Sequence, residues 1–227
     1  IYELMGYSAE SGAIVFVTSN GTLIDERSTE KLRKVYEKTK GKVILSLNGS
    51  RPEVDELLRE KGVYKRTIRA AKLLRKAKIP FDINYVVHSM NVWDLPDAIR
   101  LAKDLNATQF NILPLVERGP ALKNCIEKAD LEAVLEQLKK LDGNYQAMLE
   151  WGPYDMIEKL ACEYDCQGCP AGFKGLAYIT PDGSVYSCPN TVLKEYQLGT
   201  VDNSFEEIFE NAKKLREIHQ GRLLCKG

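Results

Sequence analysis

Short apolar runs alternate with amphipathic segments along most of the chain. Continuous or alternating apolar runs predict strands, and 13–18 (AIVFVT) has the unbroken β-branched character of a strand buried on both faces. Period-3.6 patterns between the runs predict helices, and the helix over 28–40 is predicted to end at Gly41. The predicted strands are 13–18, 43–48, 81–87, 109–115 and 146–151, and the predicted helices are the first residues after Ile1, then 28–40, 64–78, 94–105 and 129–141.

This alternation of strands and helices predicts an α/β fold. Strands joined by helices form parallel sheets with right-handed crossovers. A barrel or partial barrel is favoured over a doubly wound open sheet, because no glycine-rich phosphate loop follows any of the strands.

The pattern changes after residue 160. The runs 176–180 and 184–188 flank Pro181-Asp182-Gly183, which predicts a β-hairpin. A helix is predicted over 204–220, beginning with the capping box Ser204-x-x-Glu207. We therefore expect two domains, 1–160 and 161–227.

Polar residues recur on one face of several predicted strands. Ser46 and Asn48 share a face, because side chains alternate along a strand, and Asn84 and Asn111 occupy similar places in the next two strands. These residues either line a wet, ligand-holding interior or are core polar groups that bond to other parts of the chain. His88 is interpreted as a loop histidine at a strand end.

Composition excludes several classes of partner. Lys+Arg and Asp+Glu balance at 32 each, so no net field recruits nucleic acid or anionic lipid. No apolar run approaches the roughly 20 residues that span a bilayer, and no signal peptide is evident. The chain has six cysteines, four of them between 162 and 188, which suggests metal binding rather than disulfides.

Several segments together resemble radical S-adenosylmethionine (SAM) enzymes with a C-terminal SPASM or twitch domain. VFVTSNGTLID (15–25), VILSLNG (43–49), INYVVHSMN (83–91) and PLVERGPA (114–121) are similar, in this order, to the family's third to sixth strand segments. The spacing Cys169-x13-Gly183-x4-Cys188 is similar to the opening of a SPASM domain. The order and spacing carry the resemblance, because each motif alone is weak.

The resemblance implies a partial (β/α)6 TIM-like barrel of parallel strands, followed by a small cysteine-rich domain with a β-hairpin and a helix. It implies a parent enzyme that cleaves SAM to a 5′-deoxyadenosyl radical and modifies a peptide or a tetrapyrrole or other cofactor precursor. It also implies a low-potential electron donor such as ferredoxin or flavodoxin, and a cytoplasmic location.

The resemblance also assigns residues to the SAM site. Ser46 and Asn48 would contact the ribose or carboxylate of SAM, although family members usually carry Asp where Asn48 stands. Four further residues are assigned to the site: Thr18 and Asn20 at the mouth of the third strand, Asn84 on the inner surface, and Arg118 near the carboxylate or the substrate.

The cysteines admit several interpretations. Cys162, Cys166 and Cys169 have the C-x3-C-x2-C spacing of the SAM-cleaving cluster, but they follow the sixth strand, where the family places an auxiliary 4Fe-4S cluster. The resemblance assigns Cys169 and Cys188 to that auxiliary cluster, with Cys166, Cys162 and Cys225 as further ligands.

A tetrahedral zinc site through Cys162, Cys166, Cys169 and Cys188 is one alternative, and the SAM-cleaving cluster itself is another. A metal-binding or electron-transfer module that uses no SAM is the alternative function. Cys125 is expected to be inert.

The resemblance places the family's CxxxCxxC and GGE motifs before Ile1 and the remaining SPASM cysteines after Gly227. We therefore expect the sequence to be a fragment that does not cleave SAM and is poorly stable alone. The SAM-binding 4Fe-4S cluster would then belong to the full-length parent.

Overall fold

The computed structural model describes residues 1–115, 126–141 and 177–218. The chain divides into two compact units, Ile1–Ala161 and Cys162–Gly227. The predicted domain boundary after residue 160 and the predicted strand 146–151 both lie outside the described residues.

Four parallel strands form the sheet of the first unit, in the order β1-β2-β3-β4. Helices connect them, which confirms the predicted α/β organisation. The strands are β1 (Phe16–Ser19), β2 (Lys42–Ser46), β3 (Phe81–Val87) and β4 (Phe110–Pro114), and the helices are α1 (Tyr2–Glu10), α2 (Glu26–Tyr36), α3 (Pro52–Asp55), α4 (Val63–Lys76), α5 (Leu95–Asp104) and α6 (Leu131–Lys139).

One face of this sheet packs against the helices and forms the core. The strands contribute Leu45, Ile83 and Phe110, which are fully buried, and α4 and α5 contribute Leu74 and Ile99. The alternate strand residues lie on the opposite, concave face, as the period of two requires. The helix-packed face therefore excludes a ligand, and the concave face remains available for one.

The prediction that 13–18 is a strand buried on both faces is wrong. Only Phe16–Ser19 is a strand, and Ile14 and Phe16 are 60% and 53% exposed. Among the described strands β1 lies at the edge of the sheet, and no described element covers its concave face. Apolar character alone does not separate an edge strand from a central one.

The second helix begins earlier and ends earlier than its predicted span of 28–40. Asp25 caps α2, since its side chain accepts a hydrogen bond from the Ser28 amide while the Ser28 hydroxyl accepts one from the Asp25 amide. Gly41 does not end the helix, which stops at Tyr36. It permits close backbone packing instead, because a Cβ there would lie 1.7 Å from the carbonyl oxygen of Val15.

A small antiparallel sheet and a helix make up the described part of the second unit. The strands are β5 (Tyr178–Ile179), β6 (Ser184–Tyr186) and β7 (Gly199–Thr200), and the helix is α7 (Phe205–Ile218). The predicted hairpin and capping box are confirmed: the Ser204 amide donates to Glu207 Oε2 at 2.9 Å, and the Glu207 amide donates to Ser204 Oγ at 3.2 Å. β7 was not predicted, because a two-residue strand carries no periodicity.

Candidate functional site

Three polar side chains form a row across the concave face of the sheet. Ser46 on β2 pairs with Asn84 on β3, and Asn84 pairs with Asn111 on β4. All three are half-buried, whereas the residues that precede them in each strand are fully buried against the helices. We call Ser46, Asn84 and Asn111 the polar row. Ligand sites of parallel α/β folds lie at the carboxyl ends of strands, and Ser46 is the last residue of β2.

The polar row presents hydrogen-bonding groups that the described chain does not use. Asn111 Nδ2 donates to Asn84 Oδ1 at 2.9 Å, which orients the Asn84 carboxamide. Within the described residues, Ser46 Oγ and Asn84 Nδ2 have no hydrogen-bond partner. A hydroxyl and an amide donor on adjacent strands can therefore bind the oxygen atoms of a polar ligand.

Asn48, two residues beyond Ser46, is held by three hydrogen bonds. Its amide donates to Asp55 Oδ1 at 2.6 Å, its carbonyl accepts from Asn91 Nδ2 at 3.0 Å, and its Oδ1 accepts from the Val86 amide at 3.0 Å. Its Nδ2 has no partner among the described residues. Asn48 therefore offers one free donor in a fixed orientation.

A buried ion pair stabilises the backbone at the end of β2. The Asp55 carboxylate is fully buried, and both of its oxygens accept from Arg59 Nη1, at 2.8 and 3.0 Å. The same Nη1 donates to the carbonyl of Ser46 at 2.9 Å. Burial raises the pKa of Asp55, although the Arg59 guanidinium opposes this shift. The ion pair therefore holds two backbone groups in place: Arg59 binds the carbonyl of Ser46, and Asp55 binds the amide of Asn48.

The loop after β2 is also tied to the start of α5. The Ser50 amide and hydroxyl both donate to the carboxylate of Asp94, each at 2.6 Å. Tyr64 on α4 donates its hydroxyl to the Ser50 carbonyl at 2.6 Å. Asp94 is fully buried, and burial raises the pKa of its carboxyl while the Ser50 hydrogen bonds oppose the shift. The rim of the site is therefore rigid beyond Asn48 as well.

Thr18 and Asn20 occupy the edge of the sheet. Thr18 is exposed, and its hydroxyl has no partner within the described part of the chain. Asn20 Oδ1 accepts hydrogen bonds from the amide and the hydroxyl of Thr22, at 3.0 and 2.8 Å, so its carboxamide stabilises the turn after β1. Thr18 therefore has a free polar group, while only the Asn20 Nδ2 group remains to reach a ligand.

His88 is a buried residue at the end of β3, consistent with its interpretation as a strand-end loop histidine. It is 1% exposed, and its Nδ1 accepts a hydrogen bond from the Met90 amide at 3.3 Å. Burial lowers its pKa. The neutral ring thus stabilises the loop between β3 and α5.

A second polar cluster lies on the same concave face at the amino ends of the strands. Lys42 Nζ lies 3.0 Å from Asp82 Oδ2 and donates to Gln109 Oε1 at 3.2 Å. Its members bond to one another, so they are core polar groups. The free donors of Ser46 and Asn84 lie on the same face, Ser46 at the carboxyl end of β2 and Asn84 in the middle of β3.

Of the predicted metal ligands, only Cys188 lies in the described residues. Cys162, Cys166, Cys169 and Cys225, together with Arg118, fall outside them. Cys188 follows β6 and is 8% exposed, packed with Val185, Leu198 and Ala212. The preceding hydroxyl, Ser187 Oγ, is buried and has no hydrogen-bond partner among the described residues. A buried cysteine that follows an unpaired buried hydroxyl in sequence is compatible with an iron–sulfur group, which accepts hydrogen bonds at sulfur.

Two kinds of feature are absent from residues 1–115, 126–141 and 177–218. No group of three or more His, Cys, Asp or Glu side chains is placed to hold a metal ion. No helix is both long enough and apolar enough to cross a membrane. Neither the concave face nor the described part of the second unit thus holds a complete metal site.

The fold and the site define a parallel α/β partial barrel with the polar row on its concave face, followed by a small unit with a buried cysteine. Comparison with known proteins specifies this class. The model of the radical SAM superfamily matches residues 1–102, and the model of an iron–sulfur cluster-binding domain, SPASM, matches residues 160–227. Residues 1–102 therefore match a radical SAM domain and residues 160–227 match a SPASM domain, and the cofactors of proteins with these domains are SAM and 4Fe-4S clusters.

Two curated relatives illustrate the range of the family. The chain is 24% identical over 237 residues to an AdoMet-dependent heme synthase of Methanosarcina barkeri, with 96% of this chain and 66% of the relative covered. It is 29% identical over 214 residues to the antilisterial bacteriocin subtilosin biosynthesis protein AlbA of Bacillus subtilis, with 92% and 45% covered. The chain thus spans about half to two thirds of the length of these relatives.

A solved structure supports the fold. The structure of anSMEcpe with bound AdoMet superposes with a TM-score of 0.62 at 26% identity, covering 88% of this chain and 58% of that one. The predicted partial (β/α)6-type barrel is confirmed by this similarity and by the four parallel strands.

The sequence pattern did not identify the residues that stabilise the loop after β2 through hydrogen bonds and an ion pair. Asp55 and Arg59 form a charged pair four residues apart, a spacing that is far commoner on exposed helix surfaces. Asn91 and Asp94 lie in a loop and at a helix start, where periodicity gives no signal. Each residue's role arises from tertiary contacts with the loop after β2.

Proposed function

We propose that this chain is the SAM-binding and auxiliary-cluster part of a radical SAM enzyme that modifies a peptide or a tetrapyrrole or other cofactor precursor. The observation that carries the proposal is the polar row on the concave face, with free donors on Ser46 and Asn84. The match to the radical SAM domain supports SAM as the ligand of these donors.

The residues of the concave face bind and orient SAM in this proposal. Ser46 and Asn84 donate hydrogen bonds to its ribose or carboxylate oxygens, and Asn48 adds its free Nδ2. Thr18 and Asn20 extend the site at the edge of the sheet, and Arg118 is a further candidate for contact with the carboxylate of SAM or with the substrate. When bound, SAM and a reduced 4Fe-4S cluster supply a 5′-deoxyadenosyl radical. The protein positions the bound SAM, because its donors are fixed by the surrounding hydrogen bonds.

The SPASM domain holds the auxiliary 4Fe-4S cluster in this proposal. Cys188 is a ligand, supported by its burial and by the unpaired hydroxyl of Ser187. Cys162, Cys166, Cys169 and Cys225 are the further candidate ligands. Thiolates are soft ligands that suit iron–sulfur clusters.

The proposed partners follow from the family and its relatives. A bacteriocin biosynthesis protein and a heme synthase are among the relatives, which supports a peptide or tetrapyrrole substrate. Reduction of the SAM-binding cluster requires a low-potential donor, for which we propose a ferredoxin or flavodoxin. We propose a cytoplasmic location, because such clusters require a reducing compartment.

Binding of SAM tests the proposal. The protein is reconstituted anaerobically with iron and sulfide, and its affinity for SAM is measured by equilibrium dialysis. Ser46→Ala and Asn84→Ala are expected to weaken SAM binding about tenfold each, the effect of one lost hydrogen bond to a charged or polar ligand. Asn106→Asp, at an exposed turn, serves as the control and leaves the affinity unchanged.

A reconstituted protein that does not bind SAM would contradict the proposal. It would favour the alternative of a metal-binding or electron-transfer module. The metal is tested separately: iron and sulfide in near-equal amounts with a visible charge-transfer band support the cluster. Stoichiometric zinc without that band would replace it with a tetrahedral zinc site.

A further inference from the structure

Asn91 lies directly behind the candidate SAM site and is fully buried. Its Nδ2 donates to the carbonyl of Asn48 at 3.0 Å and to the carbonyl of Val86 at 2.9 Å. Its Oδ1 accepts from the amide of His88 at 2.8 Å. One carboxamide therefore joins the loop after β2 to the end of β3.

Every polar group of Asn91 already has a partner within the chain. The two Nδ2 hydrogens and Oδ1 are occupied as described, its carbonyl accepts from the Tyr85 hydroxyl at 2.9 Å, and its amide donates to the carbonyl of His88 at 3.1 Å. A fully buried residue without a free donor does not contact a ligand. Asn91 can therefore affect the site only through the residues that it holds.

The residue that it holds most directly is Asn48. Val86 links the two carboxamides, since its amide donates to Asn48 Oδ1 and its carbonyl accepts from Asn91 Nδ2. The backbone of Asn48 is thereby fixed at its carbonyl, and its side chain is fixed at Oδ1. Rotating the Asn48 carboxamide by half a turn would bring Nδ2 against the Val86 amide and lose that hydrogen bond. The arrangement leaves Asn48 Nδ2 as the group directed to a ligand.

We propose that Asn91 is a positioning residue for SAM, acting through Asn48, whose Nδ2 donates to an acceptor oxygen of the ligand. This inference rests on the proposed function. It also explains the asparagine at position 48. Because Oδ1 accepts a hydrogen bond from the Val86 amide, the side chain offers the ligand its Nδ2 donor, whereas an aspartate would offer an acceptor.

A double-mutant cycle tests the inference in the protein with its clusters reconstituted. SAM affinity is measured by equilibrium dialysis for Asn91→Ser, Asn48→Ala and the double variant, with Asn106→Asp as the control. We expect Asn91→Ser and Asn48→Ala each to weaken SAM binding about tenfold. We expect the double variant to bind no more weakly than Asn48→Ala, because both changes remove the same contact.

The cycle also separates positioning from general damage to the fold. If the two losses multiply in the double variant, Asn91 acts independently of Asn48 and the inference is overturned. An Asn91→Ser variant with wild-type affinity overturns it equally. If Asn91→Ser does not fold, Asn91→Asp is used, which keeps the acceptor for the His88 amide and loses the Nδ2 donors. Hydrogen exchange of the Val86 amide then reports the link to Asn48: faster exchange supports the inference, and unchanged exchange in the folded variant contradicts it.

Failure of the proposed function gives a different result. In that case the unmodified reconstituted protein shows no SAM binding, and the cycle has no starting affinity. A protein that binds SAM but shows no coupling between positions 48 and 91 keeps the proposed function and loses only this inference.

Discussion

Asn111 Nδ2 donates a hydrogen bond to Asn84 Oδ1 at 2.9 Å across the β3–β4 pairing. The bond fixes which end of the Asn84 carboxamide faces its neighbours, so that Asn84 Nδ2 remains as a donor beside Ser46. The candidate site is therefore defined by an oriented amide as well as by the identity of its residues.

Removing the orienting bond is expected to weaken SAM binding less than removing the donor itself. Asn111→Ala leaves Asn84 Nδ2 in place but frees its carboxamide to rotate, so we expect a loss of about threefold in affinity. Asn84→Ala removes the donor and is expected to cost about tenfold. Equilibrium binding of SAM to the reconstituted variants measures both. An Asn111→Ala loss larger than that of Asn84→Ala would contradict the orienting role.

The buried pair Asp55–Arg59 is expected to dominate the stability of the loop after β2. Asp55→Ala leaves the Arg59 guanidinium buried without its partner and removes the acceptor for the Asn48 amide, so we expect a loss of about 3–5 kcal/mol in the free energy of unfolding. Urea denaturation followed by circular dichroism measures it.

The pair Asp97–Arg100 is the matched control for this prediction. Its side chains are 58% and 45% exposed, and its separation of 2.7 Å is similar to that of the buried pair. Asp97→Ala is expected to change stability little, because solvent screens exposed pairs. Equal losses for Asp55→Ala and Asp97→Ala would show that burial does not set the strength of the Asp55 pair.

The sequence predicted which side chains lie on the concave face of the sheet, but it did not predict the residues that stabilise the loop after β2. The period of two in β2 and β3 separates Ser46 and Asn84 from their core neighbours, so the face of each side chain follows from its position alone. The same sequence does not show that Asn91 reaches the loop of Asn48, since that contact joins residues 43 positions apart. Hydrophobic periodicity reports on one helix or strand at a time, whereas a contact between two loops depends on the tertiary fold.

Edge and boundary errors have a similar cause. Phe16 has the apolar character of a core residue but is half exposed, because its position in the sheet decides its burial. Gly41 resembles a helix stop, yet its role is the close approach to Val15. Both residues were assigned a role from local character, and in both a neighbour distant in sequence decides the outcome.

Ser187 provides a prediction about the proposed auxiliary cluster. Its buried hydroxyl lacks a partner among the described residues and precedes Cys188, so we expect it to donate to a sulfur of the cluster. Hydrogen bonds to sulfur raise the reduction potential of a cluster, and Ser187→Ala should therefore lower it while Ser187→Thr preserves it. A redox titration followed by electron paramagnetic resonance measures the potential.

The control for this prediction is Ser184→Ala. Ser184 lies on the same strand, β6, but its hydroxyl donates to Asp182 Oδ2 at 3.3 Å. The reduction potential should not change in this variant. An unchanged potential in Ser187→Ala would show that the hydroxyl has no contact with the cluster.

His88 makes the stability of the barrel unit depend on pH. Burial lowers its pKa below the ordinary value of 6.5. In the window between the folded-state pKa and 6.5, the unfolded chain binds a proton that the folded chain does not. The free energy of unfolding therefore rises with pH there. The contribution of neutral His88 is fully present above pH 6.5 and is lost as the pH falls toward the folded-state value.

His88→Asn is expected to reduce this pH dependence. Asparagine can still accept the hydrogen bond from the Met90 amide, but it does not titrate. Urea midpoints measured at about pH 5.5 and about pH 7.5 should differ less in the variant than in the unmodified protein. The chain's other histidine is present in both proteins, so its effect cancels from the comparison. A variant whose midpoint shifts with pH as much as that of the unmodified protein would show that His88 is not the titrating group.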